Sequence, residues 1–260
     1  MQALRTAATG MMAQEMNVEV ISSNIANLRT TGFKRQRAEF QDLLYQDIRQ
    51  IGSTTSEQGT MVPSGVQIGT GVRVAATPRT HSQGTLVSTD RTYDLGIRGE
   101  GYFPINLPDG RTAYTRDGTF DLDGNGQLVT QDGYQVGSGI TIPSTALSVT
   151  VNATGLVQIL DSAGATSDVG QIQLARFINK GGLQAVGDNL FMESPASGTA
   201  QLSNPGTDGS GTLLQKYVED SNVNAVSEIS DLIEAQRAYE MNARVIRAAD
   251  DMLSNTTLTR

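Results

Sequence analysis

Apolar residues near the N-terminus recur every seven residues, whereas the middle of the chain has no such repeat. A seven-residue apolar repeat is typical of helices that pack against other helices through a narrow seam. One row of this repeat is Leu4, Met11, Val18 and Ile25, and a second row three positions on includes Ile21 and Leu28. The pattern predicts a helix from about Gln2 to Leu28, where Thr30, Thr31 and Gly32 stop it.

The C-terminal part of the chain has the same seven-residue spacing. Its apolar members are Ala225, Leu232, Tyr239, Ile246 and Leu253, and Ile229 flanks this row. Asn222 or Asn224 can cap a helix here, and Glu228 in the first turn would complement the helix dipole. We therefore predict a second helix that reaches Leu253, and we take both seams together as an assembly interface. A simple helical hairpin within one chain remains an alternative.

Between the two helices the sequence is rich in turn signals. Five dipeptides favour tight hairpins: Asp109-Gly110, Asp117-Gly118, Asp123-Gly124, Asn125-Gly126 and Asp132-Gly133. In two-residue hairpins both central positions need positive φ, which Asp, Asn and Gly tolerate. Short runs such as Val72 to Ala76 and Leu147 to Leu160 have strand character. These patterns predict a meandering antiparallel sheet.

The predicted fold class is α+β, with a coiled-coil-like pair of terminal helices and a central β-rich antiparallel domain. We predict four segments: an N-terminal assembly helix (residues 1–45), an extended segment (46–78), a β-rich outer domain (79–216) and a C-terminal assembly helix (217–260). The extended segment is polar and rich in Gly, Ser and Thr, but it contains isolated apolar residues. Four of them are predicted to contact a neighbouring subunit: Met61, Val62, Val66 and Ile68.

Composition excludes several classes of function. The chain has no Cys and one His, so thiol catalysis, disulfides and multi-His metal sites are not expected. The formal net charge of −8 argues against nucleic-acid binding, which needs a concentrated basic surface. No apolar run approaches the length of a membrane span, and the N-terminus lacks the pattern of a cleaved secretion signal.

Candidate chemistry is sparse. Asp121-x-Asp123-x-Asn125-Gly126 matches the first half of a calcium-binding loop, but hairpin turns explain the same residues better. Gly65-x-x-x-Gly69-x-Gly71 lacks the Lys-Ser/Thr of a phosphate loop, and His81 in its polar stretch is expected at the surface. We therefore predict no catalytic residue, no cofactor, no metal site and no enzymatic activity.

Two motifs resemble those of the bacterial flagellar rod and hook proteins. Residues 22–34, Ser-Ser-Asn-Ile-Ala-Asn-Leu-Arg-Thr-Thr-Gly-Phe-Lys, are similar to the N-terminal motif of that family. Residues 221–226, Ser-Asn-Val-Asn-Ala-Val, and residues 232–240 are similar to its C-terminal motif. Residues 40–46 and 65–73 extend the likeness to distal rod proteins within the family, although Lys216 stands where Gly is usual.

The resemblance implies a structural subunit of the flagellar distal rod, a drive shaft that transmits torque from the motor to the hook. Copies would stack helically into a hollow tube, with the terminal helices inside and the β-rich domain outside. The implied location is the basal body, where the rod spans the periplasm after export without a cleaved signal peptide. The implied partners are further copies of the chain, proximal rod proteins, hook and hook-junction proteins, peptidoglycan and outer-membrane ring proteins, and the type III export apparatus.

Three alternatives stay open at this stage. Within the family the chain could be a proximal rod or hook subunit. Outside the family it could be a secreted β-rich binding module with helical ends, and a carbohydrate-type enzyme is a more distant third.

Overall fold

The computed structural model describes residues 2–49, 64–137, 139–162 and 164–258 of the chain. One long helix lies near each end: α1 is Gln2–Ala26 and α2 is Ala225–Leu258. The strands between them are β1 Glu39–Asp42, β2 Tyr45–Arg49, β3 Val66–Gly69, β4 Val72–Ala76, β5 Leu86–Ser88, β6 Leu95–Arg98, β7 Phe103–Asn106, β8 Thr112–Thr115, β9 Asp121–Leu122, β10 Leu128–Val129, β11 Gln135–Val136, β12 Ala146–Val151, β13 Leu156–Asp161, β14 Thr166–Gln171, β15 Leu174–Arg176, β16 Gln184–Gly187, β17 Leu190–Met192, β18 Gln201–Ser203, β19 Thr212–Gln215 and β20 Tyr217–Glu219. This arrangement confirms the predicted α+β fold with helical ends and a β-rich centre.

The helix ends have local causes. Asn224 caps α2, because its side-chain oxygen accepts hydrogen bonds from the backbone N–H groups of Val226 and Ser227 at 3.0 and 3.3 Å. Helix α1 ends at Ala26, earlier than predicted, because the chain turns at Asn27. The backbone N–H of Thr30 donates to the Asn27 carbonyl there at 3.2 Å.

Contacts between residues divide the chain into two compact units. The helical unit comprises residues 1–26, 36–79 and 224–260, and the β-rich unit comprises residues 27–35 and 80–223. This division differs from the four predicted segments. Residues 27–35 and 217–223 belong to the β-rich unit, and residues 46–78 belong with the helices.

In the β-rich unit the largest sheet has seven strands in the order β16-β17-β8-β7-β11-β10-β9, and every pairing in it is antiparallel. Three of the predicted turns join neighbouring strands of this sheet. Asp109-Gly110 joins β7 to β8, Asn125-Gly126 joins β9 to β10, and Asp132-Gly133 joins β10 to β11. The glycines have φ of 80°, 79° and 84°, so they supply the left-handed conformation that these turns need.

The predicted hairpin at Asp117-Gly118 is wrong. This dipeptide follows β8, but β8 pairs with β7 and β17 and not with β9, so no hairpin forms here. Gly118 is instead buried, and its carbonyl accepts a hydrogen bond from the backbone N–H of Leu95 at 2.9 Å. A Cβ atom on Gly118 would lie 1.8 Å from the Leu95 carbonyl oxygen, so Gly is required for close backbone approach.

A hydrophobic core lies between this sheet and the shorter strand pairs of the β-rich unit. The three-stranded sheet β12-β13-β14 and the pair β6-β19 contribute apolar residues to it. Phe103 and Phe120 are both fully buried, and their rings meet edge to face at 5.1 Å between centroids. The dense packing of these side chains holds the β-rich unit together.

In the helical unit two antiparallel ribbons accompany the helices. Strand β1 pairs with β4, and β2 pairs with β3. Val66 and Ile68 of the predicted inter-subunit segment lie on β3 and are 46% and 40% exposed. Met61 and Val62 lie outside the described residues. Neither α1 nor α2, over the residues described, has the apolar length that crossing a bilayer needs.

Replacing Gly118 with Ala should destabilise the β-rich unit. The added methyl group would meet backbone atoms that no side-chain rotation can move, so we expect the free energy of unfolding to fall by at least about 2 kcal/mol. Urea denaturation of the full chain measures this change.

Gly124→Ala is the matched control. No heavy atom lies within 4 Å of a Cβ built on Gly124, so its effect should stay within about 1 kcal/mol. Equal effects of the two substitutions would contradict the crowding that we assign to Gly118.

Candidate functional site

The two helices pack antiparallel within the helical unit, because Asn24 lies beside Glu228 and Gly10 lies beside Asn242. Small and polar side chains predominate among the most buried residues of the two helices, and Val20 and Ile21 are the larger apolar ones. On α1 the buried residues are Ala7, Ala13, Val20, Ile21 and Asn24, and on α2 the most buried residues are Glu228, Ala235 and Ala249. A Cβ on Gly10 would come within 2.9 Å of the Asn242 amide nitrogen, so the two helices approach closely here.

The predicted seam residues differ in how far they are buried. Ile21 is buried. The half-buried members are Leu4, Met11, Val18, Ile25, Leu28, Ala225, Leu232 and Ile246. The exposed members are Ile229, Tyr239 and Leu253. Of the predicted set only Ile21 is buried, and over the described residues the other members keep surface that is open to solvent.

The sequence analysis missed the small and polar residues of this contact. Their signal was present, because Glu228, Ala235, Asn242 and Ala249 also follow one another at seven-residue intervals. This row lies three positions after the apolar row that begins at Ala225. Because this row contains no large apolar residue, it has no hydrophobic signal in the sequence.

An apolar stripe lies on the exposed side of α2. Val226, Ile229 and Ile233 are 76%, 49% and 45% exposed, and their spacing places them along one side of the helix. On α1, Met12 and Met16 are exposed four residues apart. Contiguous exposed apolar surface of this kind marks sites of protein–protein contact.

A polar pair joins the helices at the end of their contact. The Asn24 side-chain amide donates to a carboxylate oxygen of Glu228 at 3.0 Å, and Glu228 is fully buried. The same side chain bonds both backbone groups of Gln36, donating to its carbonyl at 2.8 Å and accepting from its N–H at 2.9 Å. Asn24 therefore fixes the end of α1, the start of α2 and the start of the segment that returns to the helical unit.

A buried ionic cluster lies in the β-rich unit and comprises Lys34, Arg116 and Glu219. One Glu219 carboxylate oxygen is 2.5 Å from the Lys34 ammonium nitrogen, and the other is 2.9 Å from Nε of Arg116. All three side chains are at most 5% exposed. The backbone N–H of Gly84 also donates to Glu219, at 2.8 Å.

Further hydrogen bonds hold the two cations of this Glu219 cluster. Lys34 donates to the Ser82 carbonyl at 2.8 Å, and Arg116 donates to the carbonyls of Gly99 and Gly101 at 2.9 and 2.7 Å. Burial lowers the pKa of the Lys34 ammonium group, while the neighbouring Glu219 carboxylate opposes that shift. A buried charge is tolerated only when it is paired and hydrogen-bonded, as it is here.

The cluster brings together residues that the sequence separates widely. Next to it, the backbone N–H of Gly32 donates to the Glu219 carbonyl at 2.8 Å, and the N–H of Arg35 donates to the Asn222 side chain at 2.7 Å. Asn222 also donates to the carbonyls of Thr80 and Ser82. Gly32 of the N-terminal motif therefore contacts a residue just before the C-terminal motif, and Asn222 of the C-terminal motif contacts the residue just after the N-terminal motif.

His81 is half-buried, and its expected position at the surface is therefore corrected. Its Nδ1 atom lies 2.9 Å from the Tyr102 hydroxyl, and its ring meets Phe191 edge to face. Burial raises the pKa of the Tyr102 phenol. His81 therefore packs against the aromatic side chains of Tyr102 and Phe191.

The calcium-like sequence forms a turn, as the hairpin interpretation predicted. The Asp123 carboxylate accepts backbone N–H bonds from Asn125 and Gln127 at 2.8 and 2.9 Å. The Gln127 bond is the largest cause that lowers the pKa of Asp123. Asp121 pairs with Arg91 at 2.5 Å. Over the described residues, no group of three or more His, Cys, Asp or Glu side chains could hold a metal ion.

Three family models match different parts of the chain. Residues 4–34 match the flagella basal body rod protein model, and residues 96–159 match the D1 domain of the flagellar hook protein FlgE/F/G. Residues 214–258 match the C-terminal model of the flagellar basal body rod FlgEFG proteins. The two terminal matches contain both partners of the Lys34–Glu219 ion pair.

Curated relatives match along the whole length. The chain is 59% identical over 261 residues to the flagellar basal-body rod protein FlgG of Caulobacter vibrioides, covering 100% of each sequence. It is 48% identical to FlgG of Agrobacterium fabrum, covering 98% of this chain and 97% of the relative. It is 46% identical to FlgG of Buchnera aphidicola subsp. Baizongia pistaciae, covering 98% of each.

Replacing Glu219 with Gln should strongly destabilise the β-rich unit, because Lys34 and Arg116 would remain buried without their counter-charge. Removing one partner from a buried ion pair typically costs about 3–5 kcal/mol of unfolding free energy. Urea denaturation is the suitable measurement because urea does not screen charges.

Asp109→Asn provides the comparison. Asp109 pairs with Arg111 at the surface, where solvent weakens the interaction, so the change should be much smaller. If the two variants unfold alike, the Glu219 cluster does not stabilise the unit as proposed.

Proposed function

Because the chain belongs to the flagellar basal-body rod protein family, we propose that its paired terminal helices form the contacts through which copies assemble into a helical, hollow rod. The chain is a structural subunit of the flagellar distal rod, since FlgG relatives match it at high identity from end to end. Its location is the rod of the basal body.

The exposed apolar stripe of α2 carries the proposal of helix-mediated assembly. A single chain leaves Val226, Ile229 and Ile233 in water, although their spacing suits packing against another helix. Within the chain the most buried residues of α2 are Glu228, Ala235 and Ala249, which leaves the larger apolar side chains of α2 for neighbours. We infer a coiled-coil-like arrangement in which each helix has one side for its own partner and another for adjacent copies.

Further partners follow from the role of a rod. The family supports self-assembly together with other rod and hook components. We propose that the rod crosses the periplasm, rotates inside the peptidoglycan and outer-membrane rings and transmits torque to the hook. Export through the type III apparatus without a cleaved signal belongs to the same proposal. The central step of the proposal is the assembly of copies into a hollow rod. Purified chains that form rods with a lumen under assembly conditions would support it.

Ile229→Asp should prevent polymerisation while leaving the single chain folded. Burying such an apolar side chain contributes about 1.5–3 kcal/mol, and an unpaired carboxylate in the same place adds a penalty that recurs in every copy. Pelleting and negative-stain electron microscopy measure polymer, and circular dichroism follows the fold.

Ile178→Asp makes the same chemical change at a residue of the β-rich unit that is 84% exposed. This control should polymerise like the parent protein. Rods formed equally well by both variants would show that the α2 stripe is not an assembly contact.

The ribbon β2-β3 is a second proposed contact between subunits. An isolated two-stranded ribbon is marginally stable in water. Here Tyr45 and Ile48 on β2 are 57% and 62% exposed, and Val66 and Ile68 on the paired strand β3 are 46% and 40% exposed. We propose that this ribbon and the adjoining residues, including Met61 and Val62, dock on a neighbouring subunit and stiffen the rod.

Deleting residues 54–68 should leave polymerisation possible but yield curved or more flexible rods. The persistence length measured in micrographs tests this expectation. A full-length variant with Val66→Ser and Ile68→Ser separates lost apolar contact from lost chain length. Rods as straight as the parent from both variants would exclude this role for the segment.

A further inference from the structure

The exposed methionines of the chain are concentrated on the two long helices. The chain has eight methionines and no cysteine, so thioethers are its only sulfur groups. Among the residues that the structure describes, four methionines are between 39% and 70% exposed: Met12 and Met16 on α1, and Met241 and Met252 on α2. The most accessible thioethers therefore lie on the two helices to which we assign assembly.

On each helix these methionines share one side. Met241 and Met252 lie in line with Val245, which is also exposed, because at 3.6 residues per turn the three positions fall within about 40° around α2. Met12 and Met16 are four residues apart and are neighbours on the surface of α1. Apolar side chains in line are typical of a helix side that packs against a partner, and the unbranched thioether adapts to an irregular surface.

A peroxide converts an accessible thioether into a sulfoxide. The sulfur lone pair attacks one oxygen of hydrogen peroxide, the O–O bond breaks, and the departing hydroxide takes the proton of the transferred oxygen and leaves as water. Sulfur loses two electrons in this step, and the peroxide gains them. The product is a polar, chiral side chain in place of a flexible apolar one, and enzymes that reduce methionine sulfoxide reverse the change.

We propose that Met12, Met16, Met241 and Met252 are sites of reversible oxidation in the unassembled chain, and that their sulfoxides prevent copies from joining. A sulfoxide oxygen buried without a hydrogen-bond donor costs free energy, and the cost recurs in every copy of a polymer. Within a rod, neighbouring copies would cover the same side chains and protect them from peroxide. This inference rests on the proposed function, because it requires that adjacent copies cover the exposed sides of α1 and α2.

Peroxide treatment of the full-length protein tests the proposal. Hydrogen peroxide applied to free chains should form sulfoxides at the four positions and raise the critical concentration for polymerisation about tenfold or more. Mass spectrometry of peptides locates the sulfoxides, pelleting measures the critical concentration, and circular dichroism follows the fold. Treatment with sulfoxide reductases that act on both epimers should restore assembly. Chains already in rods should be oxidised at these positions at least about fivefold more slowly than free chains.

A variant with leucine at all four positions separates these sites from the other methionines. Leu and Met have similar volumes, so this variant should assemble like the parent and should still do so after peroxide treatment. Met192→Leu is the matched control. Met192 lies in the β-rich unit and is half-buried, and its sulfur accepts a hydrogen bond from Arg111 at 3.6 Å. This control should remain as sensitive to peroxide as the parent.

Three results would overturn the inference. They are an oxidised parent protein that polymerises like the untreated one, a four-leucine variant that is as sensitive as the parent, and methionines that are oxidised equally fast in rods and in free chains. In each of these cases, rods of the untreated parent would still support the proposed function. An untreated parent protein that forms no polymer would overturn both.

Discussion

Two buried cations depend on a single carboxylate, that of Glu219, and much of the β-rich unit is arranged around this constraint. Lys34 and Arg116 reach it from different parts of the chain, and Gly84 adds a backbone hydrogen bond. Ion pairs in such surroundings contribute little net stability compared with apolar packing, but breaking one is costly. The cluster therefore constrains the fold more than it stabilises it. The segments around residues 34, 84 and 219 must all be in place before these buried charges are paired.

Local features of the fold could be predicted because their causes are local. Strand β4 has the predicted limits, Val72–Ala76, and Asn224 caps α2 through bonds to residues two and three positions away. Gly118 could not be predicted in the same way. The dipeptide Asp117-Gly118 has the chemistry of a turn, but the close approach of the Leu95 carbonyl, which requires Gly there, is a tertiary contact. Lys216 is a similar case, since its φ of 63° suits the Gly expected at that position.

The helix contact shows a second limit of sequence patterns. A seven-residue repeat indicates that a helix packs against others, but α2 has two such repeats on neighbouring rows. Small residues such as Gly10 and Ala235 allow close approach of the two helices, and this contact leaves Ile229 and Tyr239 exposed. Choosing between the rows requires knowledge of the partner. One row lies in the contact within the chain, and the other supplies the surface that we propose for neighbouring copies.

The contacts that join the two ends of the chain also determine when the subunit can fold. Asn24 and Glu228 are 204 residues apart in sequence, and Lys34 and Glu219 are 185 apart. Closing so long a loop costs little extra free energy, since each doubling of loop length adds only about 0.6 kcal/mol. It does impose an order in time, because long-range contacts form late. A chain made from its N-terminus holds an unpaired α1 until α2 has been synthesised, so the paired helices that we propose as the contact between copies are absent from the nascent chain.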